Sequence, residues 1–161
     1  MNVEPIGTIH SPFTAQRGTP IQPAMAQGAE GRVELHPEYA DGLADLDGFE
    51  RIWLIYAFDR AGPARLAVTP YMDDQPRGLF ATRAPTRPNP IGMSCVRLLA
   101  VDGCTLRVAD IDVLDGTPLL DIKPYAPRFD HFEVQRWGWL QATDSERTVA
   151  DGRFEGGSDG G

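Results

Sequence analysis

Seventeen glycines and fourteen prolines punctuate a chain of 161 residues, and the apolar segments left between them are too short for long helices. They read instead as strands of five to eight residues: "VEPIGTIH" from Val3 to His10, "RVELH" from Arg32 and "RIWLIYAF" from Arg51. A weaker "RLAVT" follows from Arg65, then two runs at Val96 to Ala100 and Leu106 to Val113, and "LLDIKPY" from Leu119. "PEYADGLADL" reads as a broken helix with Pro37 in its first turn. "EVQRWGWLQ" reads as a last short strand or helix closing the core. The alternation of strand and helix that builds parallel sheets is missing, so the pattern predicts an antiparallel barrel or sandwich.

Length fits one domain with a single core. "IWLIYAF" is the most apolar stretch, far too short to span a bilayer, and predicts a buried central strand with Trp53 packed in the core. The first ten residues carry neither a basic region nor a long apolar run, so the expectation is a cytoplasmic protein without membrane attachment. Cys95 and Cys104 flank Asp102-Gly103, a dipeptide suited to a two-residue hairpin turn that would set Cys104 opposite Val101. Cys95 then lies roughly 20 Å away along the strand, beyond the reach of a disulfide, and reduced thiols are expected. His10, His36 and His131 are scattered in sequence and form no metal-binding pattern, so no metal is expected.

The formal net charge is -8, which disfavours nonspecific binding to a polyanion. Between Asp74 and Asp102, however, no acidic residue occurs, while Arg77, Arg83, Arg87 and Arg97 all do. Within this island "ATRAPTRPNPIG" places Arg83 and Arg87 among Pro85, Pro88 and Pro90. Proline fixes its own backbone and restricts the residue before it, so the loop loses little entropy on meeting a ligand. Each guanidinium can offer a planar fork of donors to a carboxylate or phosphate. The same pattern also suits a solvated surface loop, with Asn89 bonding its own backbone. Trp137 and Trp139 can either pack or stack on a base. Residues Thr14 to Gly31 show no period and predict a long loop, a length often tied to function.

"GLFATRAPTRPNPIGMS", with "DVLDGTPLLDIKPY" downstream and "IGTIHSPF" at the start, closely resembles the TsaA-like, or TrmO-like, family over Val3 to about Tyr125. The resemblance implies a mainly β fold, a small antiparallel β-barrel with a few short helices and long loops, over residues 1–140. A flexible, acidic and glycine-rich tail is expected over 141–161, with "EGGSDGG" disordered. The resemblance further implies an S-adenosylmethionine-dependent methyltransferase acting on N6-threonylcarbamoyladenosine beside a tRNA anticodon. No G-x-G-x-x-G loop in this chain would have named that cofactor.

Carried over by motif position, the cofactor site would use Pro20, Ile21, Gln22, Asp59, Arg60, Arg83, Met93, Asp115, Gly116, Thr117 and Pro118. Arg87 and Asn89 would meet the substrate. Asp121, Lys123 and Tyr125 of "DIKPY" are candidate catalytic groups for proton removal, with strand-end packing as the alternative. A homodimer with the cofactor near the contact between subunits is implied. The best-known bacterial members carry an additional C-terminal domain, whereas about 35 net-acidic residues follow Tyr125 here. A small-molecule methyl acceptor, or a module that binds the cofactor or a nucleotide without turnover, therefore stands beside tRNA as an alternative.

Overall fold

The computed structural model describes residues 1–156. Six strands close into an antiparallel barrel in the order β1 (Gly7–His10), β2 (Glu30–Leu35), β7 (Thr105–Ala109), β6 (Ile91–Asp102), β3 (Arg51–Ala57) and β8 (Thr117–Pro124), which pairs back onto β1. Closure leaves the barrel itself without an open sheet edge. Outside the barrel, β4 (Ala67–Val68) and β5 (Arg77–Gly78) form a two-residue ribbon, and one helical turn, α1, spans Pro127–Asp130. The mainly β expectation is met.

Alternation with a period of two fills the barrel. Ile9, Val33, Ile52, Leu54, Val96, Leu106, Val108 and Leu119 all point inward and are fully buried. The same alternation corrects the picture of β3 as a strand buried on both faces. Ile52, Leu54 and Tyr56 face the core, while Trp53 lies on the outer face, partly exposed, with its ring 6.0 Å from that of Tyr125. A closed barrel covers one face of each strand, so half of an all-apolar strand must face outward.

Other boundaries also differ from expectation. The β6–β7 hairpin pairs Asp102 with Thr105, so its turn is Gly103–Cys104, one residue later than predicted, with Gly103 at φ +59°. Both cysteines are free. The strand predicted through Val113 ends at Ala109, because Asp110 takes a left-handed backbone at φ +65°. "PEYADGL" is a 3-10 helix, Pro37–Leu43. The WGW segment leaves the core: Trp137 is exposed, and the Trp139 indole donates to the Ala81 carbonyl at 2.8 Å.

Within 141–156 the chain returns to the barrel. Val149 bridges to Pro20 and Glu155 to Ala61, and Ala150 and Phe154 are buried. Phe154 packs with Val68, Leu79 and Ala84 in a second small core beneath the arginine loop. The expected disorder of "EGGSDGG" falls, for 157–161, outside the described residues. Among the described residues no helix is long and apolar enough to cross a membrane.

Candidate functional site

One end of the barrel opens into a cavity of about 610 Å³. Its wall is assembled from the last turn of β3, the first residues of β6, the β7–β8 connection, the long loop after β1, the arginine loop and the returning C-terminal segment. That volume lies in the range of small-ligand sites, and the wall mixes apolar groups such as Ile21, Phe58 and Leu114 with a few convergent polar ones.

The two arginines of the proline-rich loop have diverged in role. Arg87 turns back on its own loop, donating to the carbonyls of Thr82 (3.1 Å) and Ala84 (3.2 Å) with its guanidinium over the Phe80 ring. It braces the turn. Arg83 reaches across the cavity wall and donates to Gln22 Oε1 at 2.6 Å, tying the arginine loop to the long loop. Beneath them Ala84, Pro85 and Thr86 are buried, which anchors the loop from below. Elsewhere the basic island is neutralised locally, since Arg77 pairs with Asp73 (2.7 Å) and Arg97 with Asp110 (3.0 Å).

Among the sequence-predicted cofactor residues, Pro20, Ile21, Gln22, Asp59, Arg60, Arg83, Met93 and Thr117 line this cavity. Arg60 sits beside Asp59 (3.6 Å) and donates to the Asp115 carbonyl (2.8 Å) and Thr117 Oγ1 (3.2 Å), which fixes the turn leading into β8. Asp115, Gly116 and Pro118 are not in the lining. Asp115 aims its carboxylate away, accepting from the Ser11 backbone N–H (3.1 Å) and lying 3.3 Å from the His10 ring; the Ser11 bond and His10 hold its carboxyl below the usual range. Gly116 is exposed at φ +80°, and Pro118 lies in the strand opposite Thr8.

Of the predicted substrate pair, Arg87 lines the cavity and Asn89 does not. The "DIKPY" candidates lie toward the other end of β8, Lys123 being roughly 20 Å from Thr117 at the rise of a strand. Asp121 and Lys123 pair with each other at 2.8 Å on the outer surface, and Tyr125 rests on Trp53. Within one chain these three groups do not meet the cavity.

Sequence reasoning missed three linked polar residues, of which Tyr56 and Asp112 line the cavity and Ser94 lies buried behind them. The Tyr56 hydroxyl lies 3.0 Å from Ser94 Oγ, and Ser94 donates to Asp112 Oδ1 at 2.5 Å. Tyr56 and Ser94 are both buried, and Asp112 lines the cavity. Burial pushes the Asp112 carboxyl up to about 7, against the Ser94 bond and the more distant Arg83 charge. Burial, with the Asp112 charge, likewise raises the Tyr56 phenol. The available signal was a serine and a tyrosine at inward positions of otherwise apolar strands. Among the described residues no cluster of three or more His, Cys, Asp or Glu side chains is arranged to hold a metal.

A closed antiparallel barrel with an arginine-lined cavity of about 610 Å³ at one end has the form of a small-ligand-binding barrel. Residues 8–131 match the family described as the tRNA-methyltransferase O N-terminal domain, and the chain belongs to that family. It is 53% identical over 152 residues to a probable S-adenosyl-L-methionine-binding protein of Pyrococcus abyssi, covering 93% of this chain and 83% of that one. It is 39% identical over 134 residues to the tRNA (adenine(37)-N6)-methyltransferase of Escherichia coli, covering 77% of this chain but 57% of the enzyme. The crystal structure of TrmO from Pseudomonas aeruginosa superposes with a TM-score of 0.76 at 40% identity, over 89% of this chain and 64% of that one. The chain thus spans about three fifths of these two bacterial proteins.

Proposed function

We propose that the chain is an S-adenosylmethionine-dependent methyltransferase that modifies N6 of an adenosine in tRNA, with N6-threonylcarbamoyladenosine beside the anticodon as the preferred acceptor. Family membership and the relatives' activity support the reaction class. The single structural observation that carries the proposal is the Arg83–Gln22 clasp, which joins the two motif segments over one cavity of suitable size.

The donor set fits the cofactor. Arg83 offers a fork to its carboxylate, Ile21, Phe58 and Leu114 offer apolar surface to its adenine, and Asp59 offers acceptors to ribose hydroxyls. When bound, the cofactor supplies a methyl carbon already activated by its sulfonium. The chain's own part is alignment and exclusion of water, which can account for much of the acceleration in such a displacement. Arg87 contributes by holding the arginine loop in shape.

The functional unit we propose is a homodimer. Ile91 and Met93 stand at the cavity rim with 47% of each exposed, and a second chain seated there would cover them and close the site.

The test is transfer of labelled methyl from S-adenosylmethionine to total tRNA by the wild type and by Arg83→Ala. The expected result is transfer by the wild type and a loss of at least tenfold in the variant. Transfer to small metabolites but not to tRNA would replace the acceptor. Binding of the cofactor without transfer to either would reduce the chain to a binding module, and no binding would overturn the proposal.

A further inference from the structure

The chain Tyr56–Ser94–Asp112 is more than a packed floor. Ser94 has one hydroxyl hydrogen, and it is committed to Asp112 when that carboxylate is ionised, which leaves the Tyr56 hydroxyl to donate to Ser94. Every hydroxyl in the chain is then satisfied, all pointing their hydrogens toward Asp112. Such an arrangement is built to present a carboxylate, and Asp112 lines the cavity.

Arg83 lines the same cavity. The Arg83 charge is felt at both Asp112 and Tyr56, yet its guanidinium is held by Gln22 rather than by Asp112. A guanidinium and a carboxylate that line one cavity without pairing with one another match an α-amino acid zwitterion, in which carboxylate and ammonium branch from one carbon. The remaining charged groups of the lining are otherwise placed: Asp59 and Arg60 lie beside each other, Arg87 is bound to carbonyls, and Glu155 lies on the C-terminal wall. Resting on the reading that this cavity takes S-adenosylmethionine, we propose that Asp112 anchors the ammonium of the cofactor's amino-acid end while Arg83 takes the adjacent carboxylate.

The anchor makes binding depend on protons in a specific way. Asp112 must be ionised to hold an ammonium, and in the unliganded site burial sets its midpoint at about 7. Below that midpoint the incoming ammonium expels a proton, so affinity falls with acidity by up to tenfold per pH unit. Above about 8 the ligand's own α-amino group begins to lose its charge. Affinity therefore peaks between these limits.

Calorimetric titration of the full chain at pH 5.5 to 8.5, in buffers of different ionisation enthalpy, reads both affinity and proton release. With S-adenosylmethionine, more than half a proton should leave per site at pH 6.5, and affinity at pH 6 should be about tenfold below that at pH 7.5. S-adenosylhomocysteine keeps the amino-acid end and should keep the linkage; methylthioadenosine lacks that end and should lose it. Asp112→Asn should bind at least tenfold more weakly at pH 7.5 with no acidic limb. Ser94→Ala retains the carboxylate but removes a donor that favours its ionised form, so its acidic limb should move to higher pH. Binding of S-adenosylmethionine with no linked proton, or an unmoved limb in Ser94→Ala, overturns the assignment while leaving the functional reading intact. Linkage with S-adenosylmethionine but not with S-adenosylhomocysteine also overturns it, moving Asp112 to the sulfonium. Absence of any binding by the wild type overturns both.

Discussion

Gly92→Ala tests how tightly the cavity floor is built around Tyr56. Gly92 pairs with Tyr56 across β3 and β6, and the Tyr56 ring lies over its bare Cα. A Cβ there would sit 2.4 Å from Tyr56 Cε2 and 2.7 Å from both Tyr56 Cζ and Phe58 Cζ. Ordinary contact begins near 3.4 Å, so the tyrosine ring must retreat by about 1 Å, which its surroundings resist. Phe58 meets the ring edge-on at 5.4 Å, and the hydroxyl is held at Ser94. Overpacking of this kind costs about 1–3 kcal/mol, and release of the hydroxyl adds about 1 kcal/mol. Against this, removing glycine's freedom from the unfolded chain returns about 0.4–1 kcal/mol. The net is a loss of about 2 kcal/mol, or about 4–8 °C in Tm for a domain of this size. Thermal unfolding followed by circular dichroism reads it directly. Gly42→Ala is the control: its Cβ meets nothing within 4 Å, and Tm should hold or rise slightly. A Gly92→Ala protein that melts at or above the wild type would refute the close packing of Tyr56 and with it the ordered floor.

Asp110→Asn should destabilise by about 1.5–3 kcal/mol, the range for hydrogen bonds to charged groups. Asp110 accepts from Arg51 and Arg97, both at 3.0 Å, and from the Gly28 N–H, and asparagine retains tolerance of its left-handed backbone. Burial pushes this carboxyl up, but Arg97 and Arg51 outweigh that and hold it below the ordinary value. A depressed folded pKa means the stabilisation is present above about pH 4 and is lost as pH falls through the lower folded value. The Tm gap between wild type and variant should therefore be full at pH 6 and close toward pH 3, as differential scanning calorimetry across that range would show. Arg87→Ala should lower both Tm and cofactor affinity, and Arg87→Lys should rescue neither fully, because both carbonyl bonds leave Nη1 at the far end of the guanidinium, beyond the reach of the shorter lysine, and an ammonium gives up the planar group over the Phe80 ring. Rescue by lysine in melting and binding assays would sink that role.

The barrel is legible in the sequence because glycine, proline and period-two alternation are local signals, and they mark the strands that carry Ile9, Val33, Leu54 and Val96. What escapes is decided at single residues by tertiary contacts. One left-handed residue, Asp110, stops β7 at Ala109 and redirects "IDV", so that Ile111 and Val113 stay buried while Asp112 enters the cavity. No alternation carried through "LRVADIDV" foresees that break, since a non-glycine residue at positive φ is uncommon and here depends on two arginines from neighbouring strands. The arginine loop divides the same way. Its prolines announce a stiff turn, but Arg83 and Arg87 are chemically identical in the sequence, and the choice between clasp and brace falls to where the carbonyls of Thr82 and Ala84 and the amide of Gln22 come to rest. A motif can thus name the residues that gather at a site. The partition of work among them is set by which hydrogen bonds the folded backbone leaves for each side chain to complete.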